Sequence, residues 1–321
     1  VTDADLCLGY FDPDNFAGGT MKLDLAGAQA AIAELAAKLK LSPVECADGI
    51  ARIASFNMAD LIRRTTIQKG FDPRDFVLFA FGGAGPVHAS VFAAELGVKK
   101  VIVPQKKTAS VWCAFGAAAA DVLHLYEKVD MMTSPFDAAR INAGLAELKA
   151  RGAGQLRREG LAAGRYAFSV DVRHRGQINE VEVAIPGETL DAGGIDALVE
   201  RFYERYETIY GRGSSFRGAR LEVVTLRCRA SAAMPKPALV PAQPGPREPA
   251  ADARRAPRRV WWSAQRDWRE TPVWDGDRFV PGNAVAGPAI VETTDTTVVV
   301  HAGQTLAVDR FGNFELTFGA A

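Results

Sequence analysis

Apolar residues recur every three to four positions from Val44 through Ala47, Ile50, Ala54, Met58 and Leu61 to Ile62, which predicts a long helix with one buried face. Ser42 ahead of Pro43 and Glu45 supplies a capping box with proline at the first helical position, and Gly70 supplies a left-handed stop. The helical period then ends. Behind an Asp72-Pro73 turn, Phe76 to Phe81 is an unbroken apolar run, the pattern of a strand covered by helices on both faces. Gly85-Pro86 opens another helix, Gly97 closes it, and the run "VKKVIVP" is a second strand of the same kind. The unit is strand, turn, helix, strand, with a right-handed crossover.

Further along, "TASVWCAFGAAAADVLHLY" predicts a helix in which Gly116 and Ala117 to Ala120 form a flat side suited to close contact. Helical spacing continues from Pro135 to about Leu161, and "RYAFSVDVRHRGQINEVEVAI" then changes the period to two, as strands require. A helix from Gly194 to about Tyr210 and a strand over "LEVVTLRCRA" complete a second α/β unit. Prolines recur between Met234 and Arg258, marking a linker or an arm laid over a neighbour. The tail, rich in Val, Thr and Gly, predicts a small β domain, anchored by Trp261 and Trp262. The expected partition is therefore 1–130, an α+β segment over 131–233, a proline-rich linker over 234–258 and the β domain over 259–321.

Composition narrows the class. With 48% hydrophobic and 24% charged residues the chain reads as ordinary globular protein, and its formal net charge of zero argues against nucleic acid or an anionic membrane as partner. No apolar run approaches the roughly 18 residues that span a bilayer. Four separated cysteines without a CxxC pair fit neither a zinc ribbon nor a disulfide framework, and a reducing cytoplasm is the expected setting.

The candidate chemistry lies in "FAFGGAGPVHAS", where the first strand ends and a helix begins. In open α/β sheets ligands bind beyond the carboxyl ends of strands, and Gly82, Gly83 and Gly85 allow a ligand close to the backbone because no Cβ intervenes. A tight turn that merely packs well is the alternative. The run matches neither G-x-G-x-x-G nor G-x-x-x-x-G-K-[ST], so no dinucleotide or P-loop phosphate cradle is indicated. Pro86 removes one N–H from the helix start, which favours a base or ribose over phosphate as the neighbour.

"GFDPRDFVLFAFGGAGPVHA" closely resembles the signature of the hydantoinase A / 5-oxoprolinase family, which includes a subunit of acetone and acetophenone carboxylases. The resemblance extends to "TDADLCLGYFDPDNFAGG", "RHRGQINEVEVAI" and "VAGPAIVETTDTTVVVHAGQ", nearly the whole chain. It implies the second half of an actin-like, ribonuclease-H-like ATPase, whose phosphate-binding motifs lie in a half preceding "VTDADL". It further implies that Gly82, Gly83, Ala84 and Gly85 contact the adenosine of ATP, and that the small-residue helix around Gly116 packs at the interdomain hinge. The implied chemistry is ATP-dependent phosphorylation of an amide or enolised ketone oxygen, with Mg²⁺ or Mn²⁺ and a hydantoinase B-type partner subunit. A ketone carboxylase is the first expectation, suggested by Val111-Trp112-Cys113-Ala114 where the family pattern has an aliphatic-Ser-Ala run. Cyclic amide hydrolysis and a non-catalytic scaffold are the alternatives.

Other residues carry weaker signals. His88, one turn inside the helix, can point back to the cleft as acid, base or phosphate donor, or serve as a structural hydrogen-bonder. Asp3 and Asp5 can hold the metal or cap a turn, and Asp3 is placed with the catalytic groups. Lys106 and Lys107 follow the second strand at its carboxyl end, where phosphate or solvent can meet them. Arg173, Arg175 and Gln177 share one strand face. His124 and His301 have no metal-ligand companions.

Overall fold

A computed structural model describes residues 1–104, 108–161 and 164–319. Lys106 and Lys107 lie outside the described residues. The chain divides into two compact units, one of Val1–Ala117 with Ala238–Ala321 and one of Ala118–Pro237.

The first unit opens with helices α1 (Thr2–Cys7), α2 (Leu25–Leu39) and α3 (Pro43–Ile67). The capping box forms: Glu45 N–H donates to Ser42 Oγ (3.3 Å) and Ser42 N–H to Glu45 Oε2 (3.1 Å). The buried stripe of α3 is Cys46, Ala47, Ala51, Ser55 and Ala59, small residues at helical spacing that let α4 approach. Leu61, expected inside, is 63% exposed.

Strand β1 (Leu78–Phe79) leads through the glycine corner into α4 (Gly85–Glu95), then β2 (Lys100–Val103) and α5 (Trp112–Ala119). β1 and β2 pair in parallel as the pattern implied. The expectation of a strand buried on both faces from Phe76 to Phe81 fails: β1 has two residues, and Phe76, Val77, Phe79 and Phe81 are all exposed. The reason is position, because β1 is the edge strand of its sheet and only β2 borders it.

The second unit is an antiparallel sheet in the order β3-β6-β4-β5, built from β3 (Val122–Thr133), β4 (Arg165–His174), β5 (Val181–Ile185) and β6 (Leu221–Ala232). Helices α6 (Ala138–Arg158) and α7 (Ala192–Tyr210) pack on one face, around Leu145, Leu148, Val170, Phe202 and Leu226. The helix expected to run to Tyr126 stops at Ala119. From Val122 the residues alternate and pair with β6 over the length of the strand, so β3 belongs to this unit and the boundary falls before residue 130.

The tail does not form a β domain of its own. Strands β7 (Arg258–Trp262) and β8 (Asp267–Thr271) form a hairpin, and β9 (Val273–Asp275), β11 (Ala289–Glu292) and β12 (Thr297–Val300) form a three-stranded sheet. Strands β10 (Ala284–Ala286), β13 (Gln304–Val308) and β14 (Phe314–Phe318) join β1 and β2 in one sheet, ordered β1-β2-β14-β13-β10. β14 lies antiparallel to β2, with Leu316 opposite Val101 and Phe314 opposite Val103. Two short strands cannot bury a core face, so β2 recruits the tail. The proline-rich arm runs along it: Ala242 N–H donates to Arg310 O (2.8 Å) and Ala284 N–H to Arg247 O (2.7 Å). Trp261 and Trp262 are buried against Leu6, Leu8 and Tyr10, and Trp261 N–H donates to Leu8 O (2.9 Å).

Two outcomes are expected. A Cβ on Gly152 of α6 would stand 2.6 Å from Ala230 Cβ on β6, so Gly152→Leu should destabilise the protein by about 2 kcal/mol in urea unfolding through overpacking. His174 is enclosed by Phe202, Tyr203 and Tyr206, neither ring nitrogen has a partner, and burial pushes its pKa below the ordinary 6.5. The unfolded chain therefore takes up the proton first, so stability should fall as pH drops below 6.5, and His174→Phe should flatten that part of the pH–stability curve.

Candidate active site

The glycine corner sits between the end of β1 and the first turn of α4. Gly82 adopts φ +88°, a left-handed conformation that favours glycine, and its N–H donates to Ala109 O (2.8 Å). From the opposite strand pair, Thr296 Oγ1 donates to Gly82 O (3.0 Å) and Gly83 O (3.1 Å), tying the turn between β11 and β12 to the corner. No described side chain plugs it. A Cβ built on Gly82 or Gly85 meets nothing within 4 Å, and one on Gly83 meets only Asp295 O at 4.0 Å. Packing against the described residues thus does not account for glycine at 83 and 85.

A cavity of about 200 Å³ opens beside Gly83, lined by Phe11, Asp12, Asn15, Ser110, Glu292 and Thr293 to Thr297 among others. Glu292 is buried and holds three partners: Arg258 Nη2 (2.7 Å), Arg255 Nη1 (2.9 Å) and Asn15 Nδ2 (3.2 Å). Asp275 also pairs with Arg255, and the flanking carboxylates keep its guanidinium pKa above the ordinary value although burial opposes this. Thr293 Oγ1 accepts from Asp295 N–H (3.3 Å) and Thr296 N–H (3.0 Å), which shapes the turn. Among the described residues the Asp295 carboxylate has no hydrogen-bond or ion-pair partner. Among the described residues the lining holds carboxylates, hydroxyls, an amide, the rings of Phe11 and Phe16 and bare main chain, and no basic side chain. Carboxylates of this kind can accept hydrogen bonds from the hydroxyls of a sugar.

His88 faces elsewhere. It is buried in α4, with Nε2 3.2 Å from Asp5 Oδ2 and Nδ1 3.2 Å from Ser55 Oγ, and it does not line the cavity at Gly83. Asp3 and Asp5 are not brought together: two positions apart on α1, they lie on different sides of the helix, Asp3 exposed and Asp5 fully buried. Neither caps a turn in α1, whose N-cap is Val1. Among the described residues no group of three or more His, Cys, Asp or Glu could hold a metal ion. Gly116 lies exposed on α5, where Trp112 stacks on Phe115 at 4.5 Å and no residue is buried. Arg173 pairs with Glu222 (3.0 Å), so that strand face is occupied by its own ion pairs.

Asp12, Asn15, Glu292, Asp295 and Thr296 carry no individual signal of chemistry in the sequence. The available signal was "ETTDTT", six polar residues between the apolar runs of β11 and β12, where a solvated turn would need fewer.

With this geometry in place, the comparisons define the class. The Hydantoinase/oxoprolinase family model matches residues 1–126, and the Hydantoinase/oxoprolinase C-terminal domain matches 132–318. The chain belongs to the hydantoinase/oxoprolinase family. It is 32% identical to caprolactamase subunit alpha of Pseudomonas jessenii, over 99% of this chain and 46% of that protein. It is 33% identical to the acetophenone carboxylase gamma subunit of Aromatoleum aromaticum, over 97% of this chain and 44% of that one. The mixed α/β fold matches the crystal structure of ATP-dependent caprolactamase from P. jessenii with a TM-score of 0.88 at 32% identity, covering 100% of this chain and 47% of that one. Nucleotide-free acetone carboxylase, from work on ATP-dependent acetone carboxylation, gives 0.71 at 29%, covering 99% and 46%. The chain thus spans about half the length of the relatives it matches.

Glu292 is the test of the polar framework. Glu292→Gln leaves Arg255 and Arg258 without their shared carboxylate and should cost roughly 2–3 kcal/mol, less than a fully buried pair because both arginines are partly exposed. Chemical denaturation of the variant measures it.

Proposed function

We propose that the chain forms the nucleoside-binding side of an ATP-dependent enzyme subunit that phosphorylates a carbonyl oxygen. The observation that carries the reading is the glycine corner, where main chain at Gly82, Gly83 and Gly85 borders open space that no described residue fills. In this reading the base lies over that main chain and the ribose hydroxyls donate to Asp295 or Asp12. The phosphates, with Mg²⁺ or Mn²⁺, meet groups of a preceding half, in the manner of an actin-like ATPase. An amide or enolate oxygen attacks the γ-phosphorus, the new O–P bond forms as the bridging P–O bond to ADP breaks, and the carbon skeleton becomes reactive to water or bicarbonate. A B-type partner subunit takes the activated species.

Cyclic amide hydrolysis is the substrate reading we favour, on the higher structural similarity to caprolactamase, with a TM-score of 0.88 against 0.71. Trp112, stacked on Phe115, keeps ketone carboxylation as the second reading.

The experiment uses the full-length subunit with its partner. Gly83→Val adds a side chain where, beyond its chain neighbours, no described atom comes closer than 4.0 Å, so its melting temperature should stay near wild type. ATP affinity measured by calorimetry should fall at least about tenfold, the scale of one lost close contact. Unchanged ATP affinity would remove the corner from the nucleotide site. ADP release with a lactam, hydantoin or oxoproline, against release with bicarbonate plus acetophenone or acetone, separates the two substrate readings.

A further inference from the structure

A second cavity lies on another side of α4. It has a volume of about 200 Å³ and is bounded by α3 (Ala51, Arg52, Ser55, Phe56), α4 (Val87, His88, Val91), the turn after β7 (Ser263, Ala264), Tyr10 and His301. At ~30 Å³ per water that is room for six or seven waters, or an organic molecule of comparable bulk. The walls are mostly apolar, and the polar groups on them are largely engaged. Tyr10 OH donates to Trp261 O (3.3 Å), Ser263 Oγ donates to Asp48, and both nitrogens of His88 are occupied by Asp5 and Ser55. Burial takes the His301 pKa down to about 4, so that ring is neutral near pH 7.

Arg52 is the exception. Among the described residues it is the only lining residue with a permanent charge, and no carboxylate pairs with it. Asp48, one turn earlier on α3, is the expected partner at this spacing, but Ser263 holds its carboxylate. The guanidinium instead lies over the Phe56 ring, 6.0 Å from its centroid, at the rim of the cavity.

An apolar pocket with one unpaired guanidinium at its mouth has the chemistry to seat a hydrocarbon body inside and an anionic head outside. We propose that this cavity is a second small-molecule site, distinct from the glycine corner, for a small organic monocarboxylate. The carboxylate meets Arg52, and the body lies between Phe56, Val87 and Val91. Nothing in this assignment requires ATP at the corner, so it stands apart from the function proposed above.

The test is titration calorimetry on the full-length protein with benzoate and hexanoate, and with benzamide as the uncharged counterpart of benzoate. Saturable binding of a carboxylate is expected below about 10 mM, the weak end of small-ligand affinity, with benzamide at least about tenfold weaker. Arg52→Gln should weaken the carboxylate about tenfold while leaving the melting temperature unchanged, since Arg52 is exposed and unpaired. Val91→Trp, which fills the pocket from a half-buried position, should abolish binding of the carboxylate in a protein that still melts cooperatively. Absence of saturable binding, equal binding of benzamide, or undiminished binding in either folded variant would overturn the proposal.

Discussion

The second strand of the sheet, Lys100–Val103, has two edges, and the need to pair both organises the first unit. One edge takes β1 in parallel; the other takes β14, some two hundred residues later, in antiparallel register. That pairing merges Val101 and Val103 with Leu306, Phe314 and Leu316 in a single core. It also fixes where the turn between β11 and β12 must lie, because β12 packs against α4, where Ser90 Oγ donates to Val299 O (3.3 Å). Thr296 can then reach the carbonyls of Gly82 and Gly83. The cavity at the glycine corner is thus assembled from the two ends of the chain, and neither end would form it alone.

Charge burial follows the same division. Glu292, placed inside by the β9-β11-β12 sheet, is satisfied by Arg255 from the end of the proline-rich arm and Arg258 from β7, with Asn15 from the amino-terminal segment. A buried carboxylate that lost these partners would be strongly destabilising, so the arm, the hairpin and the amino-terminal loop are held in register by one side chain. His88 and Asp5 do similar work between α4 and α1, and Ser55 adds α3 to the same junction. Their burial and mutual bonding explain why a histidine one turn inside a glycine-initiated helix is here a cross-brace.

Local signals were legible in the sequence where local physics decides the structure. The capping box at Ser42, the glycine corner, the β-turn-α-β unit of β1, α4 and β2 and the alternating strands β4 to β6 each follow from patterns within a short stretch of chain, and each is present; the tryptophan pair is also buried, as its size suggests, although the surface it packs on comes from the other end of the chain. The family was also legible, from the run around Gly82. What the sequence did not show depends on long-range pairing. Phe76 to Phe81 carries the composition of a central strand but occupies an edge, and periodicity holds no information on sheet order. The alanine run after Trp112 reads as continuing helix until β6 offers Val122 to Thr133 a partner. The tail has β composition whether it stands alone or completes another sheet. Asp3 and Asp5 looked like a pair in sequence, and the helical rotation between them separates a surface carboxylate from a buried one.

The glycine corner and its surroundings have one more property in common. Phe76, Val77, Phe79 and Phe81 lead into the corner with their side chains exposed, and α5, which starts three residues after the Ala109 whose carbonyl accepts from Gly82 N–H, has no buried residue. An isolated exposed hydrophobe needs no explanation, whereas a concentration of them on both flanks of an open, main-chain-lined corner does. Fixed hydrogen bonds and carboxylates act more strongly where water is excluded, so covering those flanks would lower the local dielectric around whatever lies on the glycines. Thr296 and Gly82 hold the corner in shape by hydrogen bonds within this unit, so its geometry does not depend on any such cover.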